Sequence, residues 1–142
     1  MLGGINANAT NLTPGVYTGT ITITASDSSG AIVSGSGQTI PVSFTVTATL
    51  SGSVVACPGS TSPTCTAPQA LPGATVTLMS GITKIAMTTA DASGNYSFSG
   101  LGSGTYTISV AGYDASNNHY VGSLTLTLTG NALNTTIQAF PG

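Results

Sequence analysis

The sequence predicts an all-β fold, and three of its features support this. Apolar side chains alternate strictly with Thr and Ser, glycine-rich and proline-rich turns separate the alternating runs, and no long apolar segment occurs. Apolar residues make up 40% of the 142 residues, which is enough for a packed core. No run approaches the ~18 apolar residues of a membrane helix, so we expect no membrane span.

The clearest pair of strands lies in residues 91–110. Alternation places the large apolar residues before the corner on one face, and those after the corner on one face as well. These residues are Tyr96 and Phe98 before the corner and Tyr106, Ile108 and Val110 after it, and Leu101 lies between two glycine-rich turns. Two strands that turn one apolar face inward around a glycine-rich corner are typical of a β-sandwich that folds over its own core.

Residues 1–50 contain two further alternating runs. One extends from Tyr17 to Ala25 and the other from Thr39 to Leu50, with a weak strand predicted between them at residues 31–34. Pro41 falls on the hydroxyl face of the second run. Because proline donates no ladder hydrogen bond, it indicates an edge strand, or a strand that begins pairing only after that point.

The segments Leu12-Thr-Pro-Gly-Val-Tyr-Thr-Gly-Thr-Ile-Thr-Ile23 and Gln38-Thr-Ile-Pro-Val-Ser-Phe-Thr-Val46 carry a resemblance. With them, residues 5–50 resemble the C-terminal half of a bacterial immunoglobulin-like domain of the BACON type. The resemblance implies earlier strands, for which few residues are available here. Either the chain is a fragment cut inside a domain, or another copy supplies the strands by donor-strand complementation.

A second resemblance begins at residue 51. Gly-x-Val, Pro-Gly-Ala-x-Val-x-Leu, Asp-x-x-Gly-x-Tyr-x-Phe-x-x-Leu and Gly-x-Tyr-x-Ile-x-Val follow one another in that order. With this series, residues 51–140 resemble a carboxypeptidase regulatory-like domain, a transthyretin-like seven-stranded sandwich related to the Cna B-type repeats of adhesins. We therefore expect two Ig-like or transthyretin-like β-sandwich modules in tandem: an incomplete one in residues 1–50 and a complete one in residues 51–142.

Ionisable side chains are too few and too scattered for catalysis. Apart from Tyr and Cys they are Asp27, Lys84, Asp91, Asp114 and His119. General acid–base chemistry needs a positioned histidine or carboxylate beside a partner that tunes it. We therefore predict no enzyme, no catalytic residue and no cofactor. A single lysine cannot neutralise a phosphate backbone, which argues against nucleic acid as a partner.

Two loops contain polar side chains of the kind found in ligand sites. One loop, Asp91-Ala-Ser-Gly-Asn95, is similar to part of a calcium loop. Calcium takes six to eight oxygen ligands, and the single carboxylate of this loop is too few. The sequence therefore favours a turn closed by the Asp91 side chain. His119 is a lone histidine in a polar loop, so no metal site is predicted. Tyr113 and Tyr120 flank that loop, either as a sugar-stacking platform or as core tyrosines.

The two cysteines close a short loop that contains prolines and a glycine. We predict a disulfide between Cys57 and Cys65, which favours an extracellular setting; two free thiols are the alternative. Glycosylation sequons occur at Asn8, Asn11, Asn95 and Asn134. If the source glycosylates exported proteins, sugars on them would mask the uncharged surface.

These observations predict a non-enzymatic, extracellular structural protein at the cell surface. Charged residues are only 3% of the chain against roughly 25% in typical soluble domains, which suits permanent packing against other copies of itself. We expect a subunit of a filament or layer assembled by β-strand complementation. The alternative is a carbohydrate-binding or adhesion module from a larger secreted protein, with surface glycans as its partner.

Overall fold

The computed structural model describes residues 12–35 and 37–142, and the regular elements within them are all β-strands. The all-β prediction is confirmed. Within these residues the chain separates into two compact units, Gly15–Val46 and a larger one that includes Thr47–Gly142. The predicted module bounds, 1–50 and 51–142, stay a prediction.

The smaller unit is one antiparallel pair, β1 (Gly15–Ile23) and β2 (Gln38–Val46). Its register extends from Gly15 opposite Val46 to Ile23 opposite Gln38 without a shift. The weak strand predicted at residues 31–34 is wrong, because this segment makes only an isolated bridge between Ser26 and Ile32. Ser28 and Ser29, between the two strands, lie in a turn.

The uninterrupted run predicted from Thr39 to Leu50 is also wrong. β2 ends at Val46, and β3 begins at Ala48 in the other unit. The alternation continues across Thr47 although the pairing partner changes. Ala48 and Leu50 are buried and pair with a strand of the larger unit, whereas Val42 pairs with β1.

The larger unit contains the remaining strands, whose bounds are as follows. They are β3 (Ala48–Ala56), β4 (Gln69–Ala70), β5 (Thr75–Ser80), β6 (Thr83–Thr89), β7 (Asn95–Leu101), β8 (Gly104–Tyr113), β9 (His119–Leu128) and β10 (Ala132–Pro141).

Two groups of strands form the layers of the larger unit. In one group β3 pairs in parallel with β10 and in antiparallel with β4 and β7. In the other, the antiparallel order is β9, β8, β5 and β6. β10 connects the groups because its last residues pair with β9 at Phe140 and Pro141.

The core lies between these layers. All five large apolar residues that alternation places on one face before or after the corner are buried, so this prediction is confirmed, and Leu101 at the corner is buried as well. They pack with side chains such as Leu50 and Ile137 from the first layer and Leu78 from the second. Leu128 is buried as well, and Leu124 packs against the core.

One close crossing fixes the position of β10 on β3. The parallel register shifts between Ala132 and Thr135, and Asn134 in this irregular segment has a φ of 64°. A Cβ on Gly52 would overlap the carbonyl oxygen of Thr135, so only glycine allows the two backbones to approach. The Tyr96 hydroxyl donates a 2.9 Å hydrogen bond to the same carbonyl oxygen.

Candidate functional site

The apolar face of the β1–β2 pair is the most unusual surface of the described residues. The register places Tyr17 opposite Phe44, Gly19 opposite Val42 and Ile21 opposite Ile40, so these six residues share one face. We call them the hairpin face. The rings of Tyr17 and Phe44 stack with centroids 5.4 Å apart and planes 18° apart. The face is therefore an ordered strip of apolar side chains.

The hairpin face is largely open to solvent. Phe44 is 47% exposed, Ile40 46% and Val42 39%. The alternation correctly predicts that the apolar side chains within each strand share a face, and within the described residues Ile40, Val42 and Phe44 lie at the surface rather than in a core. A contiguous apolar strip of this kind is a candidate interaction surface.

The opposite face of the pair carries hydroxyl groups. Thr18 lies opposite Ser43, Thr20 opposite Pro41 and Thr22 opposite Thr39. No charged side chain occurs in either strand. The pair is therefore amphipathic through Thr and Ser alone, and it lacks the charges that usually prevent strand edges from associating.

The disulfide predicted between Cys57 and Cys65 is present in the structure, with Cα atoms 5.2 Å apart. Cys57 is fully buried, and its backbone N–H donates a hydrogen bond to the carbonyl oxygen of Ala139 in β10. The Ser60 hydroxyl, also buried, lies 3.1 Å from the Thr66 hydroxyl inside the same loop. The bridge therefore anchors a Ser/Thr/Pro loop to the end of β3.

All three carboxylates of the chain form the same kind of turn. Asp27, Asp91 and Asp114 each accept hydrogen bonds through Oδ1 from the backbone N–H groups two and four residues later. The residue three positions on has a positive φ each time: 86° at Gly30, 81° at Gly94 and 64° at Asn117. The turn predicted for Asp91 is therefore confirmed.

These hydrogen bonds lower the pKa of every carboxyl group. The main cause is the Ser29 hydroxyl for Asp27, the Asn95 backbone N–H for Asp91 and the Asn118 side chain for Asp114. The pattern Asp-x-Ser occurs at all three sites in the sequence, although only the turn at Asp91 is predicted above. Carboxylates used in this way are poor general acids at neutral pH.

The loop with His119 lies between two tyrosines whose environments differ. Tyr120 is buried, and its hydroxyl donates a 3.1 Å hydrogen bond to Asp114 Oδ2. Burial is the larger cause that raises the pKa of Tyr120, and this hydrogen bond is the next. Tyr113 is 59% exposed and its ring lies 4.8 Å from that of His119. A stacking platform formed by both tyrosines is therefore wrong, and Tyr113 alone presents a ring to solvent.

Tyr113 borders an open cavity of about 390 Å³, which is also lined by Gln69, Pro72 and Asp114. Within residues 12–35 and 37–142, no three His, Cys, Asp or Glu side chains come close enough to hold a metal ion. In the same residues no helix is long and apolar enough to cross a membrane.

The predicted sequons divide into two pairs. Asn8 and Asn11 lie outside the described residues. Asn95 and Asn134 are exposed and line one shallow polar groove beside Gly52. Glycosylation at any of these positions stays a prediction.

Comparisons with known proteins bear on the fold. The family model described as carboxypeptidase regulatory-like domain matches residues 64–138. No curated protein matches the chain. Among solved structures, it is similar to BcpA, the major pilin subunit of Bacillus cereus, with a TM-score of 0.55 and 12% identity.

The structural alignment covers 92% of this chain and 40% of the pilin subunit, so the chain spans less than half the length of that protein. At this identity the similarity shows a common fold only. The immunoglobulin-like resemblance of residues 5–50 stays a prediction.

Proposed function

Because the chain belongs to the carboxypeptidase regulatory-like domain family, we propose that it is a non-enzymatic structural module of the cell surface. Its specific role is that of a subunit in a filament or layer, in which copies of the chain associate by β-strand complementation. The observation that supports this most is the exposed hairpin face on a two-stranded pair. Two strands are marginal in water, and they gain stability when further strands cover them.

Three further observations agree with this role. The carboxylates of the chain are used in turns, which leaves them unsuited to acid–base catalysis. The disulfide between Cys57 and Cys65 suits an oxidising, extracellular compartment. The fold is similar to that of BcpA, the major pilin subunit of Bacillus cereus.

Association of the purified chain tests the proposal. We expect light scattering and electron microscopy to detect assemblies that grow with concentration. Val42→Lys places a charge on the hairpin face and should abolish them, whereas Ser43→Lys, on the hydroxyl face of the same strand, should retain them. A folded wild-type chain that stays monomeric at high concentration would contradict the proposal.

Carbohydrate binding is the second candidate function, and the exposed ring of Tyr113 beside its cavity favours it. Aromatic rings stack on the apolar faces of sugars, and the Gln69 amide offers hydrogen bonds at the same cavity. Binding on a glycan array that Tyr113→Ala abolishes would favour this function. An array without any signal would count against it.

A further inference from the structure

The position of Pro41 shows which edge of the β1–β2 pair is open. Pro41 lies in an unshifted ladder opposite Thr20. Proline is tolerated inside a ladder where its nitrogen points away from the neighbouring strand. Directly opposed residues in an antiparallel pair either exchange hydrogen bonds or both direct their backbone groups away from each other. The backbone N–H and C=O of Thr20 therefore point to the outer edge of β1.

The same orientation recurs at every second residue. Val16, Thr18, Thr20 and Thr22 present their N–H and C=O groups at the outer edge of β1. On the outer edge of β2 the corresponding row is interrupted at its centre by Pro41. Within the residues that the structure describes, β1 pairs with β2 alone. Its outer edge is thus a continuous template for another strand.

β6, an outer strand of the larger unit, differs from β1. β6 contains Lys84, the only basic residue of the chain other than His119, and its pairing with β5 shifts between Leu78 and Met79. A lysine and a bulge are two of the features by which proteins block strand addition. β1 has neither, since its register is unbroken and it carries no charge.

The apolar area buried between hairpin faces determines how many copies a stable assembly needs. Strands of nine residues with strand spacings of about 4.8 Å give the hairpin face roughly 300 Å². Two such faces packed together bury about 600 Å², half of the ~1,200 Å² at which specific interfaces begin. Two pairs joined along β1 form a four-stranded sheet with twice the apolar area. Two of these sheets reach that lower limit of about 1,200 Å².

We infer that β1 of one copy pairs antiparallel with β1 of a second copy, an inference that rests on the proposed function. Thr18 then lies opposite Thr20 of the second copy, and Gly19 opposite its own equivalent. This register keeps the hairpin faces of both copies on the same side, because opposed residues share a face. Two such sheets pack hairpin face to hairpin face, so this contact joins four chains with two-fold symmetry.

Proline substitution on opposite edges of the pair tests the inference in the full chain. Thr20→Pro should leave the β1–β2 ladder intact, as Pro41 does, and remove a donor from the open edge. Ser43→Pro places the same residue on the edge that Pro41 already interrupts. In sedimentation experiments we expect wild type and Ser43→Pro to form assemblies of four or more chains and Thr20→Pro to be monomeric.

Circular dichroism checks that each variant keeps its strand content. A Thr20→Pro that forms assemblies of four or more chains, or a Ser43→Pro that is equally monomeric, would overturn the inference and leave self-assembly intact. A wild type that is monomeric at every concentration would overturn this inference and the proposed function together.

Hydrogen exchange on the wild type provides a test that needs no variant. The amides of Thr18 and Thr20 should exchange slowly in the assembly and rapidly after dilution to monomer. Slow exchange of both amides in the monomer would mean that another segment of the same chain covers the edge, which would refute pairing between copies.

Discussion

Substitution of Gly52 by alanine should destabilise the larger unit more than its small size suggests. A Cβ at this position would overlap the Thr135 carbonyl oxygen and lie 2.6 Å from the Thr135 nitrogen, where ordinary contacts begin at 3.4 Å. Both neighbours are backbone atoms of β10, so no side-chain rotation relieves the overlap. β10 must move away from β3 by roughly 1 Å.

The cost follows from what this movement breaks. Overpacking in a well-packed site costs about 1–3 kcal/mol. The Tyr96 hydroxyl also loses its 2.9 Å bond to the Thr135 carbonyl oxygen, which contributes about 1 kcal/mol for a buried tyrosine. We expect Gly52→Ala to lower the free energy of unfolding by about 2–4 kcal/mol, a large share of the stability of a domain.

Urea unfolding followed by circular dichroism measures this difference. Gly102→Ala is the matched control, because no atom outside its chain neighbours lies within 4 Å of a Cβ at that position. The control should remain within about 0.5 kcal/mol of wild type. If Gly52→Ala were as stable as the control, the argument for a backbone contact at this crossing would be wrong.

Three other predictions concern the disulfide and the ionisable groups. Replacement of Cys57 and Cys65 by alanine should lower the free energy of unfolding by about 2.5 kcal/mol, because the disulfide closes a loop of sequence separation 8. Urea unfolding measures this difference, and an unchanged unfolding midpoint would contradict it. Hydrogen bonds from the Asn95 and Ser93 backbone N–H groups lower the pKa of Asp91 in the folded state. The ionised Asp91 therefore contributes to the free energy of unfolding above its unfolded pKa of 3.8, and this contribution is lost as the pH falls through the lower folded pKa. Asp91→Asn keeps an acceptor oxygen, and its melting temperature should therefore fall less steeply than that of wild type in acid. Burial raises the pKa of Tyr96 to about 12. Ultraviolet titration should therefore detect a tyrosine that ionises near this pH, and Tyr96→Phe should remove that signal. The free energy of unfolding should decline as the pH rises from the unfolded pKa of 10.0 to about 12.

The sequence predicts most of the larger unit because its signals are local. Alternation identifies the buried faces of β7 and β8, and these residues fill the core between the two layers. The turn at Asp91 is equally local, since its hydrogen bonds reach only two and four residues ahead. Short-range chemistry of this kind can be read without knowledge of the partner strands.

The errors occur where alternation has to be assigned to a partner. The run from Thr39 to Leu50 keeps one period, yet its first part pairs with β1 and its last part with β7. Period alone gives the face of a residue and not the layer that covers it. For the same reason the two tyrosines around His119 differ, with Tyr120 buried against Asp114 and Tyr113 exposed.

The sequence by itself determined that the chain is all-β, which residues share a face, where Asp91 closes a turn and which cysteines pair. Only the tertiary structure decided that Ala48 and Leu50 enter a core while Ile40, Val42 and Phe44 stay exposed. It also decided that Gly52 lies under the backbone of β10. The physical reason is that alternation and turn chemistry act between neighbours in the chain, whereas burial depends on strands brought together from distant segments.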